Sequence, residues 1–182
     1  MLEFNFIPFP ELVTANLRLR QITKDDADEL LFLRSNETTM RYIDKPRTNS
    51  RKEALELIQK ITDGIKNGTG INWGICLRTD ATLIGTIAYW RTIPEHYRAE
   101  IGYMLHSEVN GRGLMSEAMK EVSKYGFEKM NLHSIEANVN PANVASMKLL
   151  ERFSFVREAY FKENFYYNGK FLDSAIYSLV KT

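Results

Sequence analysis

The chain has 182 residues, 44% hydrophobic and 26% charged, with 24 basic against 23 acidic side chains and a formal net charge of +1. That length can bury a core without disulfides or metals, and the even charge, with no basic stripe interleaved with aromatics, excludes broad electrostatic binding to nucleic acid. A single cysteine, Cys76, excludes an internal disulfide and any cysteine-based metal cluster; it stands in the apolar run 73–77 and reads as a small buried residue.

In chain order, Leu17-Arg18-Leu19-Arg20 alternates as a half-buried strand does. Thr23 precedes Asp26 by three, a capping box with Asp in the glutamate's place, so a helix is expected from there to about Ser35. A second helix fits Arg51 to Lys66, with Ala54, Leu57, Ile58 and Ile61 on one face, and Asn67-Gly68-Thr69-Gly70 stops it. Strands follow over 72–77, 83–90 and 99–105, with an irregular loop through Pro94 and His96 before the third. A glycine turn opens a helix running to about Lys129, Ser134 to Val139 is a strand, and Pro141-Ala142-Asn143 starts a short helix ending near Arg152. Asn168-Gly169, suited to a type I′ turn, joins strands 161–167 and 174–179. The order βααβββαβαββ implies one domain over 1–182, an α+β fold whose mixed, mostly antiparallel central sheet has helices on both faces. His96, His106 and His133 lack metal-ligand spacing, no signal peptide opens the chain, and no apolar run reaches membrane-spanning length; a cytoplasmic protein without metal or membrane partner is expected.

The segment Asn110-Gly111-Arg112-Gly113-Leu114-Met115-Ser116 carries the most chemistry. Two glycines at a strand-to-helix turn leave backbone N–H groups free where aligned peptide dipoles favour negative charge, which suits a phosphate or pyrophosphate, and Arg112 adds a cation. The segment is neither a P-loop nor a dinucleotide fingerprint, and the same residues also suit a plain connecting turn.

Three segments resemble the GNAT acetyltransferases: Ala99-Glu100-Ile101-Gly102-Tyr103-Met104-Leu105, the turn from Asn110 to Ala118, and Ile135 to Ser146. Within that superfamily they are most similar to the Rim-type group, which acetylates ribosomal-protein N-termini, and the closing run Asp173 to Leu179 resembles that group's last strand. The resemblance implies the GNAT fold and acetyl-CoA as co-substrate, with its pyrophosphate on the amides of Asn110, Gly111, Arg112, Gly113, Leu114, Met115 and Ser116. It implies a pantetheine arm paired along the strand near Leu105 and His106, a backbone N–H near Met104 at the thioester carbonyl, and Asn138 and Asn143 along the arm. Glu100 would be the general base and Ser146 would sit near the departing sulfur. Four positions depart from the family pattern. Asn110 fills the motif's first place and Met115 its last, Leu150 stands where many members carry a catalytic tyrosine, and Ser154 replaces a usual glycine.

The residues read alone leave alternatives open. Glu100 also suits an ion pair with Arg91 or Arg98, Ser146 a helix cap, and Tyr103 and Tyr125 walls of the core. An α-amine acceptor needs only a modest base, because its pKa lies near 7.7–8.0 and about a quarter of it is neutral near pH 7.4. Acceptor contacts are expected from 36–47, 90–98 and 164–170, which hold Tyr42, Trp90, Arg91, Tyr97, Tyr166 and Tyr167. The acceptor reads as a protein or peptide N-terminus, with a small amine (polyamine, aminoglycoside or amino acid) or a non-catalytic acyl-CoA sensor as other readings, and a homodimer is allowed.

Overall fold

The computed structural model describes residues 2–181. A two-residue strand β1 (Leu12–Val13) and β2 (Leu17–Gln21) lead into α1 (Ala27–Ser35), the one-turn α2 (Glu37–Met40) and α3 (Arg51–Lys66). Then come β3 (Ile71–Leu77), β4 (Asp80–Ile93), β5 (Arg98–Leu105), α4 (Leu114–Glu128), β6 (Ser134–Val139), α5 (Val144–Arg152), β7 (Val156–Tyr167) and β8 (Lys170–Val180). The strands form one sheet in the order β1-β2-β3-β4-β5-β6-β8-β7, mixed and mostly antiparallel as expected.

Local chemistry explains the elements. Thr23 caps a short 3-10 turn that runs into α1, and the Asp26 carboxylate accepts the Thr23 N–H at 2.7 Å, completing the expected capping box. Ser50 caps α3 through the Glu53 N–H, and Ala54, Ile58 and Ile65 turn inward. Buried residues fall into two clusters. One packs Trp73, Ile75, Ile87 and Tyr89 against Ala118, Met119 and Val122 of α4, and the other joins Ile22 and Leu83 to Leu30, Leu33, Ala54 and Ile58 of α1 and α3. Helices therefore cover both faces. Glu117 fixes α4 to the β1–β2 turn by accepting the Asn16 N–H at 2.7 Å, the Asn16 side-chain amide at 2.9 Å and the Thr14 hydroxyl.

Strand ends differ from expectation. β4 continues to Ile93 and β5 begins at Arg98, so the expected loop before β5 shortens to the turn over 94–97. β7 starts at Val156, five residues early; this edge strand is exposed almost throughout, so burial enforces no alternation that a reader of the sequence could see. β5 and β6 form the sheet's parallel pair, and their pairing covers only Arg98–Glu100 with Ser134–Glu136. Beyond Glu100 the strands part, and β5 runs on to Leu105 bonded to β4 alone.

Ser154, in the turn after α5, sits at φ 63°, the left-handed region that costs a residue bearing Cβ about 1–2 kcal/mol. Ser154→Gly removes that cost against the added chain entropy of glycine when unfolded. Thermal unfolding should show the variant more stable by about 0.5–1 kcal/mol, a rise of about 1–4 °C.

Candidate active site

The parting of β5 and β6 opens a cavity of about 570 Å³. Its floor is Glu100 to Met104 of β5; β6, the turn after it and the start of α5 contribute Asn138, Asn140, Asn143 and Ser146. Arg34 of α1, the segment 42–45, Trp90, and Asn164, Phe165 and Asp173 of the β7–β8 hairpin close the sides.

Glu100 is 8% exposed, and its carboxylate lies 3.9 Å from the Arg91 guanidinium, while Arg98 pairs with Glu136 at 3.3 Å. Of the two arginines expected as partners, Arg91 takes that place. A bulge in β4 between Tyr89 and Arg91 brings Arg91 opposite Glu100. Burial first, and the like charge of Glu136 second, raise the Glu100 carboxyl above its ordinary value, with Arg91 and Lys45 acting the other way. A carboxylate so raised is a stronger base near neutral pH.

The backbone of β5 assigns its own donors. The His106 N–H donates to the Ile84 carbonyl at 2.8 Å, so this is a hydrogen-bonded antiparallel pair. Such pairs alternate, which makes Thr86–Met104 and Ala88–Gly102 the next bonded pairs and directs their amides at β4. The N–H groups of Tyr103 and Leu105 therefore face the open edge. Of the amides near Met104, that of Met104 itself is turned toward β4, and the neighbouring Tyr103 amide is the one on the open edge. The His106 ring stacks on Phe32 at 4.8 Å, on the α1 side of the sheet.

At the glycine turn, Gly111 and Gly113 hold φ 79° and 77°, and a Cβ on either would meet nothing within 4 Å. These are conformations glycine adopts freely, and the turn faces open space. The first helical bond of α4 runs from the Glu117 N–H to the Gly113 carbonyl, leaving the N–H groups of Leu114, Met115 and Ser116 without helical acceptors. Asn110, Gly111, Arg112 and Gly113 are exposed, Leu114 is buried, and the Ser116 hydroxyl accepts from Arg152 at 3.3 Å. The turn, Leu105 and His106 lie beyond the residues lining the large cavity, so the expected phosphate and chemical ends are separate places. An open β5 edge followed by free helix N-terminal donors fits an extended phosphate-bearing thioester.

Asn143 caps α5 by accepting the Ser146 N–H at 3.1 Å, and the Ser146 hydroxyl lies 2.7 Å from that of Tyr103. Burial pushes the Tyr103 phenol up to about 12, the bond to Ser146 acting the other way, so the phenol keeps its proton. Leu150 is fully buried in the core, leaving no polar group there. Asn138 lines the cavity from β6. Of the aromatics expected at the acceptor, Tyr42 and Trp90 line the cavity, whereas Tyr97, Tyr166 and Tyr167 do not. Arg34 was outside the expected segments, although a cation at i+3 and i+4 from Leu31 and Leu30 on an inner helical stripe was a readable signal.

Residues 16–156 match the Acetyltransferase (GNAT) domain family. The chain belongs to that family. It is 38% identical over 173 residues to the uncharacterized N-acetyltransferase YoaA of Bacillus subtilis, covering 95% of this chain and 98% of the relative. It is 28% identical over 115 residues to the [ribosomal protein uS5]-alanine N-acetyltransferase of Escherichia coli, covering 63% and 59%. Its fold matches the ribosomal L7/L12 alpha-N-protein acetyltransferase RimL in complex with coenzyme A, with a TM-score of 0.85 at 22% identity over 93% and 96% of the two chains. The protein is an N-acetyltransferase of the GNAT family.

Proposed function

We propose that this enzyme transfers an acetyl group from acetyl-CoA to the α-amine of a protein or peptide N-terminus by direct attack on the thioester. Acetyl-CoA supplies the activated acyl group and a thiol that leaves. The observation carrying the reading is a buried carboxylate raised above its ordinary value, Glu100, at the point where β5 leaves β6 and begins the open edge that presents the Tyr103 amide. Glu100 accepts the proton that the amine loses as the new C–N bond forms. The Tyr103 N–H stabilises charge developing on the carbonyl oxygen, and the Leu105 N–H holds the arm. The Ser146 hydroxyl hydrogen-bonds the sulfur as the C–S bond breaks and keeps its own proton, the departing thiolate takes a proton from solvent, and the protonated Tyr103 phenol holds the serine in place at 2.7 Å. A thiol of pKa about 8–9 leaves readily, so that hydrogen bond contributes less than acyl placement. Arg112 and the free amides at the start of α4 bind the pyrophosphate, while Asn138 and Asn143 flank the arm.

One base of this strength suits an α-amine, whereas a lysine-like amine is only about 0.1% neutral near pH 7.4. The uS5-alanine relative acts, by its name, on a ribosomal protein, which supports the same acceptor class here. Thiol release from acetyl-CoA, followed against peptides with free N-termini, the same peptides blocked at the N-terminus, and spermidine, checks the reading. Turnover confined to free α-amines is the expected result; turnover confined to spermidine, or persisting on blocked peptides through a lysine side chain, overturns it.

A further inference from the structure

Charge in the cavity is unevenly satisfied. Its acids have partners: Asp44 accepts from the Asn140 side chain at 3.3 Å, Asp173 accepts from the Glu163 N–H at 2.8 Å, and Glu100 faces Arg91. Its two cations differ. Arg34 of α1 is half-buried and makes only long bonds to neutral oxygens, 3.3 Å to the Thr48 hydroxyl and 3.4 Å to the Pro46 carbonyl. Lys45 is exposed overall, but its ammonium lies 3.9 Å from the centre of the Trp90 ring. Among the described residues, neither has a carboxylate within 4.0 Å. Partial desolvation and the charge of Arg34 hold Lys45 below the ordinary lysine value, with Glu100, farther than 4.0 Å away, acting the other way. Two neighbouring cations with no carboxylate in contact disfavour each other, and both are relieved by one carboxylate placed between them.

We propose that the acceptor carries a carboxylate close to its reacting amine, bound by Arg34 and Lys45 while the amine meets Glu100. The inference rests on acetyl transfer to an α-amine as read above, and narrows it to acceptors bearing an acidic second residue or a nearby C-terminal carboxylate.

The test compares four acceptors with the wild-type enzyme, Lys45→Gln, Arg34→Gln and the control Lys60→Gln, which changes an exposed α3 side chain outside the cavity. A C-terminally amidated hexapeptide beginning Ala-Glu is set against its Ala-Gln twin, and the dipeptide Ala-Ala against Ala-Ala-amide. Both kcat/KM and the calorimetric Kd for the enzyme–CoA complex are read. The wild type should favour the carboxylate member of one pair about ten-fold or more, and the pair that shows it tells side chain from C-terminus. Lys45→Gln and Arg34→Gln should bring that ratio toward one through KM, with Lys60→Gln keeping it. Lys45 is exposed, so its variant keeps the test alive if Arg34→Gln folds poorly. Acetylation of both members at equal rates overturns this inference and leaves the transfer reading standing. Absence of acetylation with a cation-dependent binding preference overturns the transfer reading and, with it, the claim that the bound carboxylate belongs to an acceptor. No preference in either readout overturns the inference.

Discussion

Replacing Glu100 with Gln should lower kcat/KM for the preferred amine by about 10²- to 10⁴-fold while changing the Kd for acetyl-CoA less than about two-fold. The amide keeps the shape of the side chain at the parting of β5 and β6 but cannot take a proton. On the proposed reading the thioester binds along the β5 edge and the glycine turn, which the change does not touch. The pH profile separates a catalytic role from the ion pair with Arg91. Burial and Glu136 raise the Glu100 carboxyl, so its basic form is lost as pH falls through a value above the ordinary 4.5. The wild-type profile should show that acid limb, then a further rise until the acceptor amine is neutral near pH 8. In Glu100→Gln only the amine's rise should remain. Arg91→Gln removes a charge that holds the carboxyl down, so its acid limb should move to higher pH with the maximal rate largely retained. If Glu100 served Arg91 alone, both variants would lose little activity and neither would move the limb.

How much of this was readable before the fold was seen depends on what each signal encodes. Asn110 to Ser116 announced itself, because glycine at 111 and 113 is a direct requirement of positive φ and the following apolar periodicity marks a helix start. The Thr23–Asp26 box and the Asn168-Gly169 turn were legible for the same reason: they are local, each a few residues whose side chains or torsions answer to one another. Glu100 stood out through family resemblance, and its surroundings did not. Its pairing with Arg91 depends on a bulge in a neighbouring strand. The bond between Tyr103 and Ser146 joins residues 43 apart, and nothing in either segment encodes it. A strand's sequence does not say which edge each N–H faces; that follows from the register against β4, which turns the Met104 amide inward and leaves those of Tyr103 and Leu105 on the open edge. Arg34 hid among apolar neighbours, although the same stripe that buries Leu30 carries it to the cavity. The chemistry-bearing types were in view, and long-range register decided which of them meet.

Asp26→Ala should cost about 3–5 kcal/mol of folding stability, a large share of the 5–15 kcal/mol typical of a domain. Asp26 is 6% exposed and binds Arg20 twice, at 2.9 and 2.6 Å, while also accepting the Thr23 N–H. Truncation leaves the mostly buried Arg20 guanidinium facing a void and uncaps the turn that starts α1. Asp26→Asn keeps an acceptor for Thr23 and should recover part of the loss. Urea unfolding followed by circular dichroism measures both, as midpoint shifts at constant slope. Acidification identifies the cause. Burial alone would raise the Asp26 carboxyl, but the bonds from Arg20 and Thr23 outweigh it and the net value is lowered. A lowered carboxyl contributes stability that is fully present above its unfolded value and lost as pH falls through the folded one. The gap between wild type and Asp26→Asn should therefore hold from pH 7 to about 5 and close progressively below about pH 4. A gap that persisted at pH 2 would mean that shape, not charge, makes Asp26 the anchor of α1, the helix that carries Arg34 to the acceptor cavity.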